Sequence, residues 1–263
     1  MQFWILFLLA LAVSSIGFKK FVWFISLGYG FSIAALGVAL VVMFWDALTP
    51  PTALICALFV AYGLRLGLFL LHRERSSKDY NRVMRTQVND GSGLSLPVCV
   101  LIWATCALLY ACEVSPVLFR LAAGGATGPS TVAGALVMVA GIALESVADL
   151  QKSAQKRRDP HRFCDKGLFS FVRRPNYLGE VLCWTGVFVS GATALSGLAQ
   201  WAAALFGYVG IVYVMFGGAR RLEIRQNRNY GADPAYQAYV RATPILIPFV
   251  PLYSVERFTW LKG

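Results

Sequence analysis

The stretch from Gly167 to Glu180 reads GLFSFVRRPNYLGE and marks the point where a basic segment meets a hydrophobic one. Eight of the 24 Lys and Arg residues lie between positions 151 and 174, and none follows until Arg220. Pro175 disfavours helical geometry in the residue before it and suits the first turn of a helix that begins there. The stretch therefore predicts a membrane boundary at which positive charge, backbone-turning residues and Glu180 meet.

The composition is that of a membrane protein, because 57% of the residues are hydrophobic and only 14% are charged. A spanning helix needs roughly 20 apolar residues, and the polar break SGATALSG divides the 39-residue charge-free stretch 181–219 into two. The chain shows no internal repeat and no linker, so residues 1–263 are predicted to form a single domain. The predicted fold is an all-α membrane protein with seven transmembrane helices, at about 2–18, 21–44, 51–71, 95–113, 130–150, 180–195 and 199–218.

The distribution of Lys and Arg predicts the orientation of these helices. An arrangement of seven helices places 22 of the 24 Lys and Arg residues on one side of the membrane. The exceptions are Arg65 and Arg120. By the positive-inside rule that side is cytoplasmic, so the N-terminus is predicted outside and the C-terminus in the cytoplasm. Lys19 and Lys20 follow the first apolar segment instead of preceding it, which favours a retained helix over a secretory signal.

Two classes of binding partner are not expected. The net charge of +11 suits nucleic acid, but the basic residues lie at helix ends, where membrane insertion already explains them. The six cysteines show no metal-ligand spacing, and the two histidines lie in separate loops. We therefore expect neither a nucleic-acid partner nor a metal site.

Several polar residues within or beside the apolar segments are candidates for function. Arg65 lies inside the third segment, with Tyr62 three residues earlier on the same helical face. A tyrosine is a plausible proton donor, although a buried tyrosine in the core and a snorkelling arginine explain the pair equally simply. Glu145 and Asp149 share a face of the fifth helix, where they form either a salt-bridge ladder with Lys156 or hydrogen-bond acceptors for a cofactor.

The motif RRPNYLGE combines groups that suit an anionic cofactor. Arg173 and Arg174 suit phosphates, and Asn176 and Tyr177 fall at a helix N-terminus, whose free amides favour anions. Membrane topology alone explains the arginines, but it does not require the Asn-Tyr-Leu-Gly-Glu that follows. In the tail, Tyr230, Tyr236 and Tyr239 are predicted either to line the membrane interface or to stack on a nucleotide.

These residues resemble the steroid 5-alpha-reductase superfamily, particularly its bacterial DUF1295-type members. The resemblance rests on GLFSFVRRPNYLGE, on SLGYGFSIAAL in the second helix, on RLGLFLLHRERSSKDYNR after the third, and on YQAYVRATPILIPFVP in the tail. Members are seven-helix membrane reductases that take hydride from NADPH. The resemblance implies a multi-pass protein of the bacterial inner membrane that contacts membrane lipids and reduces a lipophilic, steroid- or isoprenoid-like enone taken from the bilayer.

The resemblance also implies roles for individual residues. Tyr62 matches a tyrosine that helps to polarise the substrate carbonyl in the steroid enzymes. The Gln-Glu pair that those enzymes carry in the second helix is missing here, so Tyr62, Tyr29 and Glu180 are the candidate catalytic residues. The candidate cofactor-binding residues are Arg65, Arg73, Asp79, Tyr80, Glu145, Asp149, Lys156, Arg173, Arg174, Asn176, Tyr177, Arg225 and Tyr239.

Two other functions remain open at this point. The isoprenylcysteine carboxyl methyltransferases share much of the motif, but they use S-adenosylmethionine and usually carry His where Arg174 stands. The sequence Asn-Tyr-Leu-Gly-Glu favours the reductase. The second alternative is a non-enzymatic lipid-binding or scaffold membrane protein, which a bound dinucleotide would exclude.

Overall fold

The computed structural model describes residues 1–76 and 93–261, and the regular structure within these ranges is helical, without strands. This confirms the predicted all-α class for the described part of the chain. The α-helices of these ranges are α1 (Gln2–Ser14), α2 (Leu27–Met43), α3 (Pro50–Ser76), α4 (Leu96–Ala122), α5 (Pro129–Arg158), α6 (Pro175–Ala192), α7 (Gly197–Tyr230) and α8 (Pro234–Ala242).

Helices α1 to α7 overlap the seven predicted apolar segments, with α5 and α7 extending beyond the predicted ends, and five candidate spans are long and apolar enough to cross a membrane. These are Phe21–Met43, Pro50–Arg75, Leu96–Ala122, Pro129–Arg158 and Gly197–Tyr230. The apolar helix at the N-terminus, Gln2–Phe18, is shorter, and α6 begins with the polar sequence PNYLGE. The chain therefore has the helices of a multi-pass membrane protein.

The predicted end of the fourth helix was wrong. We expected it near residue 113, where the charge-free stretch ends, but α4 continues to Ala122 through Glu113 and Pro116. Glu113 is only 3% exposed, and Arg120 is held by Ser190, Thr193, Ala126 and Ser130 through side-chain and carbonyl oxygens. A charged residue ends an apolar run in the sequence, but a charged side chain does not by itself interrupt the backbone hydrogen bonds of a helix.

The structure divides into two compact units. The first unit comprises Met1–Ala135 and Val187–Tyr208, and the second comprises Leu136–Gly186 and Val209–Gly263. Helices α5, α6 and α7 contribute residues to both. That residues 1–263 act as a single domain stays a prediction.

In the first unit, glycines bring α2 and α3 into backbone contact. A Cβ atom on Gly30 would lie 2.9 Å from the Gly67 nitrogen and 3.0 Å from the Gly63 oxygen. Small residues allow this approach between apolar helices, where van der Waals packing and not solvent exclusion drives association. The close crossing determines how near side chains of α2 and α3 come to each other.

The second unit has a similar crossing between α5 and α6. A Cβ atom on Gly179 would lie 2.6 Å from the Glu145 nitrogen and 2.7 Å from the Gly141 oxygen, so the glycine of PNYLGE is needed for helix packing. The segment after α8 folds back onto this unit. Its buried residues Ile245 and Leu246 form an apolar cluster with Ala219 of α7 and with partly buried side chains of α6.

Candidate functional site

The two arginines of RRPNYLGE lie inside the second unit, immediately before α6. Arg173 is 1% exposed, and its Nη2 lies 2.8 Å from Oε1 of Glu223 in α7. The second carboxylate oxygen of Glu223 accepts from the Val255 amide at 2.9 Å. Arg173 Nη2 also donates to the Tyr253 carbonyl, and its backbone amide donates to the Pro244 carbonyl at 2.8 Å. Arg173 thus links the start of α6 to α7 and to the tail.

Arg174 is buried beside Arg173. It is 4% exposed; its Nη2 donates to Gln226 Oε1 at 2.7 Å and its Nη1 donates to the Arg173 carbonyl at 3.3 Å. Burial is the main cause that lowers the pKa of the Arg174 guanidinium, and the charge of Arg173 lowers it further. The pKa of a free guanidinium is so high that Arg174 stays charged, and an anion at this position would offset the repulsion.

Part of the hydrogen-bonding capacity of the two arginines is not used by the described residues. Within 1–76 and 93–261, no acceptor lies in hydrogen-bond range of Arg173 Nε, Arg173 Nη1 or Arg174 Nε, and all three atoms are buried. A buried donor left without a partner costs about 1–3 kcal/mol. Phosphate oxygens suit such donors, since a guanidinium binds them with charge-assisted and often paired hydrogen bonds. The pair therefore fits an anionic group such as the phosphates of NADPH.

Aromatic rings of α8 pack against Phe163 in this unit. The ring of Tyr239 stacks on Phe163 at 5.5 Å between centroids, and the ring of Tyr236 meets it edge-on at 5.2 Å. Their hydroxyls donate to the Phe169 carbonyl at 2.7 Å and to Asn227 Oδ1 at 2.8 Å, respectively. Burial raises the pKa of both tyrosines, so their hydroxyls stay protonated at neutral pH. These rings form a fixed wall, and Tyr236 is too buried to lie at a lipid interface.

The acidic candidates occupy the α5–α6 crossing. Glu145 and Glu180 are 4% and 7% exposed, on the two helices that Gly179 brings together. Asp149, one turn beyond Glu145, is only partly buried. Asn176, in the first turn of α6, is also partly buried. The structure therefore places the acids of α5 and the motif of α6 in the same unit.

Other predicted cofactor residues have different surroundings. Lys156 uses its ammonium group to hold the loop after α5, since it donates to the carbonyls of Pro160 at 2.9 Å and Arg162 at 2.6 Å and to the Tyr230 hydroxyl at 3.2 Å. Arg225 is exposed on α7. It follows Glu223 by two residues, about 200° around the helix, and so lies on a different face from the buried pair.

The remaining candidates lie in the first unit or outside the described residues. The Tyr29 and Tyr62 hydroxyls are 3.3 Å apart, and both side chains are buried. The guanidinium of Arg65 lies 5.7 Å from the centre of the Tyr62 ring. At the end of α3 the guanidinium of Arg73 lies 5.5 Å from the centre of the Phe69 ring. Asp79 and Tyr80 lie outside the described residues.

A comparison with protein families places these residues in context. The model of a family described as "Protein of unknown function (DUF1295)" matches residues 7–243, which include the PNYLGE motif, both arginines and the aromatic wall. The chain belongs to the DUF1295 family. This confirms the resemblance to DUF1295-type proteins drawn from the sequence.

Individual relatives of this DUF1295 chain add little to the family match. An uncharacterized protein of Schizosaccharomyces pombe is 36% identical over 73 residues, which is 28% of this chain and 20% of the relative. The chain thus matches about a fifth of that protein's length. No solved structure matches the chain significantly.

Sequence reasoning missed several residues that contact the candidate residues of each unit. Gln226 and Asn227 orient Arg174 and Tyr236, and Tyr110 lies beside Tyr29 with ring centres 5.2 Å apart. Gln226 follows Glu223 by three residues, so both lie on one helical face. This spacing could have identified Gln226 from the sequence. Tyr110 offered none, because one tyrosine in an apolar helix is ordinary.

Proposed function

We propose that this chain is a membrane reductase that uses NADPH to reduce a carbon–carbon double bond conjugated to a carbonyl group in a lipophilic, steroid- or isoprenoid-like substrate. Membership of DUF1295 and the membrane-type helices are compatible with this activity. The link from that family to the steroid 5-alpha-reductases rests on the sequence resemblance. The proposal is supported most directly by Arg173 and Arg174.

The arginine pair carries the cofactor assignment. Two buried guanidinium groups lie directly before the N-terminus of α6, and three of their N–H-bearing atoms have no acceptor among residues 1–76 and 93–261. We assign the phosphates of NADPH to these donors and to the free amides of the first turn of α6. Asn176 and Asp149 are assigned to the polar groups of the ribose or nicotinamide amide. NADPH would supply the hydride.

The chain itself would supply the hydrogen bond that polarises the substrate carbonyl. Tyr62 is a suitable donor, because its buried hydroxyl lies 3.3 Å from the Tyr29 hydroxyl. A hydrogen bond between the two hydroxyls can orient that of Tyr62. Glu180 is the competing candidate, since its side chain is buried where α5 and α6 cross. Donation to a carbonyl oxygen typically contributes about 10²–10⁴-fold to the rate.

The topology proposed for this enzyme has seven spans, with the N-terminus outside and the C-terminus in the cytoplasm of a bacterial inner membrane. Most Lys and Arg residues then lie on the cytoplasmic side, where NADPH is present. A reporter fused after Gly263 is expected to be cytoplasmic and one inserted near Gly125 external. A cytoplasmic signal near Gly125 would contradict the seven-span arrangement.

The decisive experiment compares ligands by thermal shift on the purified chain. At about 100 times its Kd, a ligand stabilises the folded state by about 2.7 kcal/mol, so NADPH is expected to raise the unfolding midpoint and S-adenosylmethionine is not. Arg174→Gln is expected to reduce the NADPH shift, and the exposed Arg228→Gln serves as the matched control. A shift with S-adenosylmethionine alone favours the methyltransferase, and a shift with neither ligand favours a non-enzymatic protein.

A further inference from the structure

The segment after α8 exposes an apolar loop that lies outside the family-matched residues 7–243. Phe249 is 98% exposed, and its neighbours Ile247 and Val250 are exposed as well. The φ angle of Phe249 is 64°, a left-handed conformation that is rare for a bulky residue. A bulky apolar side chain held outward in an unfavourable backbone conformation indicates a surface that it contacts.

The loop is held firmly at its base. The Ile245 amide donates to the Leu252 carbonyl at 2.9 Å, and the Leu252 amide donates to the Val250 carbonyl at 2.7 Å. Ile245 and Leu246 are completely buried, whereas Phe249 is almost completely exposed. The loop therefore projects its apolar tip as a fixed shape, and the exposure of Phe249 is not that of a frayed end.

The packing of the loop base places it at the edge of the membrane. Ile245 and Leu246 pack with Ala219, which directly precedes Arg220, the residue that ends the charge-free part of α7. Six residues before Ala219, or about 9 Å along the helix, the Tyr213 hydroxyl donates to the Trp260 carbonyl at 2.7 Å, and the two rings stack. Trp260 is 63% exposed, and exposed Trp and Tyr residues are enriched where lipid meets water.

An open cleft lies beside the loop tip. Its volume is about 240 Å³, and Phe171, Pro248, Phe249, Val250 and Tyr253 are among the residues that line it. Phe171, which comes from the segment before α6, is 67% exposed. Exposed basic residues flank the lining segments in the chain, with Lys166 before the turn that leads to Phe171 and Arg241 at the end of α8.

We propose that Phe171 and the 247–250 loop form an interfacial anchor that inserts among the headgroups and upper acyl chains of the membrane that the chain spans. Anionic phospholipids are the preferred partner, because the flanking Lys166 and Arg241 carry positive charge. The unit that carries the loop also exposes Val209 and Val214 in the charge-free part of α7, and exposed apolar side chains in a membrane-type helix favour lipid over a protein partner. The anchor is independent of the proposed reductase activity.

The test measures the depth of the loop tip in a bilayer. The six native cysteines of the full chain are replaced by alanine, and Val250→Cys is labelled with an environment-sensitive fluorophore. The labelled chain is reconstituted at one copy per nanodisc, in nanodiscs that contain phosphatidylglycerol. Nitroxide attached high on the lipid acyl chain is expected to quench this probe several-fold more than aqueous iodide does. Phe249→Ser in the same background is expected to reverse that preference, and nanodiscs of phosphatidylcholine alone are expected to weaken it.

Glu256→Cys is the matched control in the same segment. The Glu256 carbonyl accepts from the charged Arg220 at 2.9 Å, and the Glu256 side chain accepts from Asn227, about 10 Å further along α7, at 2.7 Å. A probe at position 256 is therefore expected to face water. Equal quenching at positions 250 and 256 would overturn the proposal. Iodide could instead reach the probe at position 250 in single-copy nanodiscs but not in crowded proteoliposomes. That result would show that a second copy covers the loop, and it would also overturn the proposal.

A measurement on the wild-type chain covers the case in which the cysteine variants do not fold. Lipids with a photoreactive group near the headgroup are cross-linked to the chain in the same nanodiscs, and the attached residues are mapped by mass spectrometry. Cross-links are expected at residues 247–250 and at Tyr213. Cross-links at Tyr213 without any at 247–250 would overturn the proposal.

Discussion

Arg173 and Glu223 form an ion pair from which water is excluded, with Nη2 and Oε1 2.8 Å apart and side chains that are 0% and 1% exposed. Desolvation makes such a pair costly to form and more costly to break, because the remaining partner is left as an unpaired buried charge. Glu223 also receives the Val255 amide. The pair therefore holds together the start of α6, helix α7 and the tail.

Glu223→Gln is expected to destabilise the protein by about 3–5 kcal/mol, the usual cost of removing one member of a buried ion pair. Arg173→Met combined with Glu223→Met is expected to recover much of this loss, since no buried charge remains. The midpoint of thermal unfolding in nanodiscs measures both effects, with the exposed Glu256→Gln as control. An unchanged midpoint for Glu223→Gln would show that the pair does not contribute to stability.

Asn176→Ala and Asp149→Ala are each expected to weaken NADPH binding about tenfold, because loss of one hydrogen-bond partner in a partly buried site costs about 1–3 kcal/mol. Both side chains are partly buried, so their removal creates no cavity that would disturb the fold. Titration of NADPH fluorescence measures the Kd. Arg225→Gln, at the exposed position that the family resemblance assigned to the cofactor, tests that assignment in the same titration.

Tyr62→Phe is expected to leave NADPH affinity unchanged and to lower turnover, because it keeps the buried ring and removes only the hydroxyl. Tyr29→Phe is expected to have a smaller effect, since it acts through the 3.3 Å contact between the two hydroxyls. Turnover of a 3-oxo-4-ene steroid, used as a surrogate enone, gives kcat and KM. Normal turnover by Tyr62→Phe with an inactive Glu180→Gln would assign donation to Glu180, and activity in both variants would contradict the catalytic assignment.

Cys164 is expected to react slowly with alkylating reagents in the folded chain. Burial is the largest cause that raises its pKa above the ordinary value of 9.0, so the reactive thiolate forms only at higher pH than in the unfolded chain. In a variant with the other five cysteines replaced by alanine, the labelling rate is expected to rise with pH along a curve displaced to higher pH. Denaturant is expected to restore the ordinary curve, and identical curves with and without denaturant would contradict this prediction.

The positions of the apolar helices followed from the sequence, because the length and apolarity of a segment are local properties that a membrane selects directly. The start of α6 at Pro175 followed in the same way from a proline after a basic run. Among the candidate cofactor residues, Arg173, Arg174, Asn176 and Tyr177 lie at that start, and their role in cofactor binding stays a prediction. The end of α4 did not follow, because the sequence does not reveal that the charges of Glu113 and Arg120 are buried.

The tertiary structure decided which of the candidate residues meet. Arg173 pairs with a glutamate 50 residues later, and the Tyr29 and Tyr62 hydroxyls approach across 33 residues. Lys156 binds its own loop, and Arg225 faces away from the buried pair. Such pairings depend on where two helices cross and on how each helix is rotated about its axis. Glycines such as Gly30 and Gly179 permit the close crossings. Crossing and rotation arise from packing over the whole unit, so no local sequence pattern encodes them.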